Sequence, residues 1–177
     1  VFFYFSPILF ANYRWRKYLK VLYQRENERL KRKGLNVDAP KTVVYMALSE
    51  TTFSGGLSDR LRGIVAIYSE CKRMGLPFRI VFEPLHLEDY LSPNKYDWRI
   101  NDDEICWDTS CVYPCVILTY HNNSRNFWQR FVQHAILSCF LKKPFRQIHV
   151  YSNMFCSDKE YASLFGELFK PTKELQD

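Results

Sequence analysis

Seven residues that could together form a site for a phosphate or a sugar lie within one short segment of this sequence. They are Gly55, Gly56, Leu57, Ser58, Asp59, Arg60 and Arg62. Paired glycines let backbone N–H groups approach a ligand, because no Cβ stands in the way and positive φ is allowed. A helix that begins here adds unpaired N–H donors and partial positive charge, which favour a phosphate. The arginines can donate two hydrogen bonds each to an anion. Asp59 is the carboxylate nearest in sequence to the glycine pair, and it could accept a proton as a general base. The segment therefore predicts a site for a phosphate or a sugar.

A structural interpretation of the same segment stays open. A Gly-Gly turn before a helix is common, Ser58 would cap the helix, and Asp59 would only complement the helix dipole. The segment matches neither the G-x-G-x-x-G pattern nor a Walker loop.

A buried strand and an amphipathic helix flank the segment. Residues 42–48 form a continuous apolar run, which is typical of a strand buried on both faces. Residues 59–74 repeat apolar side chains at helical spacing, Gly75 ends that helix, and residues 78–82 predict a second strand. This order predicts two parallel strands, with the glycine loop at the carboxyl end of the first, where open α/β sheets bind ligands.

The same alternation continues to the end of the chain. The remaining predicted elements are strands at 115–120 and 147–152 and helices at 125–141 and 157–169. Ser157 followed by Glu160 predicts a capping box at the last helix. Glu83 and His121 follow the second and third strands and are further binding candidates at the same edge. We therefore predict an α/β fold with a Rossmann-like, mostly parallel sheet over residues 42–177.

Residues 1–41 differ in composition from the rest of the chain. Residues 1–11 are strongly apolar, but they fall short of the roughly 20 residues that a membrane-spanning helix needs. Residues 12–33 predict a basic amphipathic helix, in which nine basic residues against two acidic ones give +7. Three interpretations stay open: attachment to an anionic membrane surface, packing on the domain as a solvated helix, and nucleic-acid binding, the least expected of the three.

Other chemically distinctive residues are interpreted as structural. The six cysteines lack metal-like spacing and are expected to be reduced thiols of a cytosolic protein, although a disulfide between loop cysteines stays open. Arg79 within an apolar run indicates an edge strand or a paired charge. Tyr96, Asp97 and Trp98 favour a hydrophobic clamp that pins a long loop, with stacking on an acceptor sugar as the alternative.

The glycine loop and the elements after it resemble a known enzyme family. The segments GGLSDRLRG at 55–63 and GLPFRI at 75–80 are similar to the N-terminal lobe of fucosyltransferase-like enzymes. These comprise the nodulation, α-1,2-, α-1,6- and protein O-fucosyltransferases, which commonly carry a GG-L-G-(D/N)-(R/Q) loop after their first strand. Ser58 replaces a frequent glycine of that loop. The segments at 89–98 and 164–171 look like those of bacterial relatives from surface-polysaccharide pathways, so that the resemblance covers about residues 42–171.

The resemblance implies the N-terminal half of a GT-B-like enzyme with two lobes. GDP-fucose is the expected donor, held mainly by a second lobe, so we expect this chain to be a fragment with little activity alone. The implied chemistry is inverting transfer to a glycan without a metal or a cofactor. A lipid-linked acceptor would suit an enzyme that is cytoplasmic or peripheral on the inner face of the membrane. The alternative is a non-catalytic α/β binding module whose basic helix docks on a membrane or on nucleic acid.

Overall fold

The fold is α/β, with helices packed on a parallel sheet. The computed structural model describes residues 2–32, 41–49, 51, 56–118 and 127–175. The helices are α1 (Phe2–Arg32), α2 (Leu57–Met74), α3 (Phe127–Leu141) and α4 (Asp158–Leu168). The strands are β1 (Thr42–Ala47), β2 (Phe78–Phe82), β3 (Leu91–Pro93), β4 (Val112–Ile117), β5 (Gln147–Ser152) and β6 (Phe169–Pro171). Short 3-10 helices lie at Leu87–Asp89, Asp102–Glu104 and Lys173–Leu175.

The main sheet has four strands in the order β2-β1-β5-β4, and every neighbouring pair is parallel. The predicted β1-α2-β2 unit is therefore confirmed. Strand β4 is the third parallel strand along the chain, and it lies at the edge of the sheet next to β5, the fourth. In the common dinucleotide-binding order, the third strand lies beside the second. The sheet is compatible with a Rossmann-like fold in its parallel strands and crossover helices. Strands β3 and β6 form a separate antiparallel pair.

Helices cover both faces of the main sheet. Alternate side chains of β1, such as Tyr45, join a core with α2, α3 and α4. The intervening side chains, such as Val44 and Met46, pack with α1 and with the segment around Trp107. Because successive side chains point to opposite faces, a strand that is covered on both faces is apolar along its whole length.

Helix α1 is part of this second core. It starts at Phe2, ten residues before the predicted start, and ends at Arg32. Its packed face is buried at Leu19, Leu22, Tyr23 and Leu30, while many of the basic residues between them are exposed. Within the described residues, no helix combines the length and the apolar character needed to cross a bilayer.

A buried chain of hydrogen bonds joins α1 to β5. The Nε2 atom of His149 lies 3.0 Å from the carbonyl-type Oε1 of Gln147, so Nε2 carries the hydrogen and Nδ1 is the acceptor. Tyr23 therefore donates its hydroxyl to Nδ1 of His149 over 2.7 Å and accepts from the hydroxyl of Tyr151 over 3.0 Å. Burial lowers the pKa of His149 to about 3, so the ring is neutral as this network requires.

Two further sequence predictions, one about a strand start and one about a helix cap, are wrong. Strand β4 begins at Val112 rather than 115 and includes Pro114. Proline is tolerated there because β4 is an edge strand, so the missing N–H removes no bond to a neighbour. Ser157 does precede α4, but its hydroxyl donates to the Glu160 carboxylate over 2.9 Å instead of capping the backbone, so there is no capping box.

The predicted loop clamp is confirmed. Trp98 is almost fully buried, its indole N–H donates to the Leu168 carbonyl over 3.0 Å, and its ring packs on Phe169. Arg79 lies on the edge strand β2 and donates to the carbonyls of Phe78 and Asp97 over 2.9 Å each. All six cysteines are free, as the sequence indicated.

Candidate functional site

The start of α2 lies at the carboxyl edge of the parallel sheet. Gly56 is the residue before the helix and has extended backbone (φ −74°, ψ −178°), and the first helical bond runs from the Arg60 N–H to the Gly56 carbonyl over 3.0 Å. Leu57 and Ser58 are exposed, whereas Asp59 and Arg60 are half-buried. The amides of the first turn have no partner inside the helix, so they can meet a ligand at this edge.

Two details of the loop differ from the sequence prediction. Ser58 is the second residue of α2 rather than its cap, because the helix begins at Leu57, two residues before the predicted start and directly after Gly56. The φ of Gly56 is negative, so a glycine is not needed here for its backbone conformation. Its missing side chain instead lets a ligand approach the backbone N–H groups. No described atom other than those of its chain neighbours lies within 4 Å of a Cβ placed on Gly56, so the described part of the chain leaves this bend open.

A second glycine fixes where α2 starts. A Cβ on Gly63 would collide with the backbone carbonyl of Ser152 and lie 3.0 Å from the hydroxyl of Tyr45. The Tyr45 hydroxyl donates to the same Ser152 carbonyl over 2.8 Å, and the Ser152 hydroxyl donates to the Ile117 carbonyl over 2.8 Å. The helix is thus held against the ends of β1, β5 and β4, which gives the first-turn amides a defined direction.

Arg60 and Glu83 lie on the β2 side of this helix start. The Arg60 guanidinium carbon is 5.8 Å from the ring centre of Phe82, the last residue of β2. Glu83 follows directly; its N–H donates to the Ala47 carbonyl over 2.9 Å, and its carboxylate accepts from the Ser49 N–H over 3.1 Å. Glu83 therefore fixes the chain where it leaves β1 toward the glycine loop.

Arg62 lies on the other side, toward β5. Its guanidinium carbon is 5.2 Å from the ring centre of Phe155, and it lines a cavity of about 140 Å³ with Phe155, Cys156 and Tyr161. Residues two apart on a helix do not face each other, which is why Arg60 and Arg62 diverge. The helix start is consequently flanked by one cation on each side rather than by two cations at one point.

The charged side chains of Asp59 and Arg60 at the start of α2 act on the hydroxyl of Tyr45 in β1. Burial raises the pKa of the Tyr45 hydroxyl well above its ordinary value, an effect that nearby Arg60 opposes and nearby Asp59 reinforces. The hydroxyl therefore stays protonated and remains a donor to Ser152. Sequence reasoning missed Tyr45 and Ser152, since nothing in a buried apolar run singles out a residue that pairs across 107 positions.

Of the remaining predicted residues, Gly55 and His121 lie outside the described part of the chain. Within that part, no three His, Cys, Asp or Glu side chains are grouped so that they could hold a metal ion. No protein-family model matches the chain, and no curated protein sequence matches it at a significant level.

Proposed function

We propose that this chain is the N-terminal lobe of a GT-B-like glycosyltransferase that transfers fucose from GDP-fucose to a glycan acceptor. The observation that carries the proposal is the open start of α2 at the carboxyl edge of the sheet, with Arg60 half-buried beside it. Phosphates bind at helix starts in this position, because unpaired amides and the helix dipole point at them. The GGLSDRLRG segment is the resemblance that supports this donor class.

The proposed reaction is an inverting displacement at the sugar carbon. The acceptor hydroxyl loses its proton to a general base and forms the new glycosidic bond, while the bond to the donor diphosphate breaks. The amides of Gly56, Leu57 and Ser58 and the Arg60 guanidinium would stabilise the negative charge on the departing diphosphate. Among the described residues that follow the strands at this edge, Asp59 and Glu83 carry carboxylates, and these are the two proposed bases.

The proposal includes a second lobe that holds most of the donor. It also assigns the acceptor to a bacterial surface polysaccharide, with the protein in the cytoplasm or peripheral on the inner face of the membrane. The basic exposed side of α1 supports that membrane attachment, because clustered Lys and Arg are attracted to anionic lipid.

A nucleotide panel tests the donor class on the intact protein. GDP should raise the unfolding temperature and UDP should not, since a ligand at a hundred times its Kd stabilises the folded state by about 2.7 kcal/mol. A rise in unfolding temperature with UDP alone would indicate that the donor is a UDP-sugar instead of GDP-fucose. The absence of a shift with either nucleotide at millimolar concentration would contradict the proposal.

A further inference from the structure

A groove of about 630 Å³ lies between α1 and the edge strand β4. Its wall on the α1 side carries Arg16, Lys17 and Lys20, and the strand side includes Val112 and Pro114. These are the first residues of β4, and the strands are parallel. The groove is therefore at the amino-terminal edge of the sheet, away from the candidate sugar-nucleotide site.

Positive charge converges in this groove. The Arg16 guanidinium carbon lies 4.7 Å from the ring centre of Tyr113, and the Lys143 ammonium nitrogen lies 5.9 Å from the same ring centre. Among the cations that line the groove, Arg16 and Lys20 are four residues apart on α1, where like charges repel each other, and none of the groove's described lining residues is a carboxylate. The ion pairs described for α1 join Arg25 and Arg29 to Glu26, further along the helix. An anion between these cations would relieve the repulsion.

The floor of the groove is aromatic and apolar. The Tyr113 ring packs 5.6 Å from Phe140 and 5.3 Å from Phe145, and both phenylalanines line the groove. Tyr13 stands at the rim with 78% of its surface exposed. From Tyr13 the helix continues back to Phe2 through a mostly apolar sequence.

A ligand in this groove must pair with the cations of the α1 wall and also cover the apolar rings. An inorganic anion would leave the exposed ring of Tyr13 and the half-buried ring of Phe145 uncovered, and a neutral sugar would leave the cations unpaired. A strand of nucleic acid needs a longer basic track with several exposed stacking rings. An amphiphile with one phosphate fits, because the phosphate meets the cations and the chain covers the rings.

We propose that this groove binds one molecule of a phosphate-bearing lipid. The phosphate lies between Arg16, Lys17 and Lys20, and the first part of the lipid chain lies on Tyr13 and Phe145. The inference is independent of the proposed sugar transfer, since the two sites lie at opposite edges of the sheet. It assigns α1 a specific lipid site rather than only a diffuse attraction to a charged surface.

Titration calorimetry with decyl phosphate, kept below its critical micelle concentration, tests the site. We expect saturable binding of one molecule per chain, with inorganic phosphate and decanol each weaker by about tenfold or more, equivalent to about 1.4 kcal/mol. Lys20→Gln should weaken decyl phosphate binding by about tenfold, because a charge-assisted hydrogen bond is lost. Arg14→Gln is the matched control: it removes the same charge from an exposed position of the same helix that does not line the groove.

Three results would overturn the inference. Equal losses from Arg14→Gln and Lys20→Gln would show diffuse electrostatics instead of a site. Equal affinity for inorganic phosphate would remove the role of the aromatic floor. Displacement of decyl phosphate by a single-stranded oligonucleotide that binds more tightly would assign the groove to nucleic acid. Thermal unfolding of each variant separates a binding loss from a folding defect, and Lys17→Gln gives a second groove variant if Lys20→Gln is unstable.

Discussion

Gly63 of α2 lies directly against the backbone carbonyl of Ser152, the last residue of β5. The contact is closer than any side chain permits, so the helix can approach the sheet edge only because residue 63 is glycine. Tyr45 donates to the same carbonyl from β1. The direction in which α2 presents its first turn thus depends on a helix glycine whose contact with β5 no local sequence pattern indicates.

Replacement of Gly63 by alanine should destabilise the fold. The added Cβ overlaps the Ser152 carbonyl, and such overpacking costs about 1–3 kcal/mol. Gly166→Ala in α4 is the control, because its Cβ meets no described atom within 4 Å, and it should stabilise by about 0.5–1 kcal/mol. Urea unfolding measures both changes. Equal stability of Gly63→Ala and the wild type would show that the close approach does not exist.

Removal of the Tyr23 hydroxyl should weaken the attachment of α1 to the sheet. Tyr23→Phe leaves the buried Nδ1 acceptor of His149 without its donor, at a cost of about 1–3 kcal/mol. Tyr13→Phe removes the same atom from a side chain of the same helix that is 78% exposed, and it should change little. If chemical denaturation gives the same free energy of unfolding for both variants, the buried network does not hold α1.

Stability should fall as the pH is lowered from about 6.5 toward 3. The folded state keeps His149 neutral down to a pKa of about 3, whereas the unfolded chain binds a proton near 6.5. The unfolded state therefore binds more protons in this window, so lower pH favours it, by at most about 1.4 kcal/mol for each pH unit. Urea unfolding across the window should give a steeper slope for the wild type than for His149→Gln. Titration of the His149 ring by NMR with an inflection between about pH 5 and 8 would contradict the buried neutral state.

The sequence predicted the elements that local periodicity determines. Strands β2 and β5 lie where their apolar runs placed them, and α2 ends at Met74 before Gly75 as predicted. Strand β4 begins at Val112, three residues before the predicted start, and only the sheet order shows that its Pro114 lies on an edge strand, where proline is tolerated.

The candidate site was predictable only in part for a related reason. Position in the chain identified the loop at the end of β1, but the directions of Arg60 and Arg62 depend on the helical phase, which begins at Leu57. Tyr45 and Ser152 meet only after β1 and β5 pair, so no local pattern marks them. The groove at Tyr113 likewise joins residues of α1, β4 and α3 that are distant in sequence.

Arg60→Ala should lower sugar transfer by the intact protein by about a hundredfold if Arg60 stabilises the departing diphosphate. Arg99→Ala is the comparison, since Arg99 is an exposed arginine paired with exposed Asp97 and should leave the rate unchanged. Initial rates with saturating GDP-fucose measure both. An unaltered rate for Arg60→Ala would remove this residue from the proposed mechanism and leave the fold unaffected.

The central claim is that the open start of α2 faces a nucleotide diphosphate, and backbone amide NMR of the intact protein with added GDP tests it most directly. We predict that the amides of Gly56, Leu57, Ser58 and Arg60 shift progressively with GDP concentration, while the amides of Arg16 and Lys20 at the distant groove stay in place. Shifts confined to the groove, or an unchanged spectrum at the start of α2 with millimolar GDP, would contradict the claim.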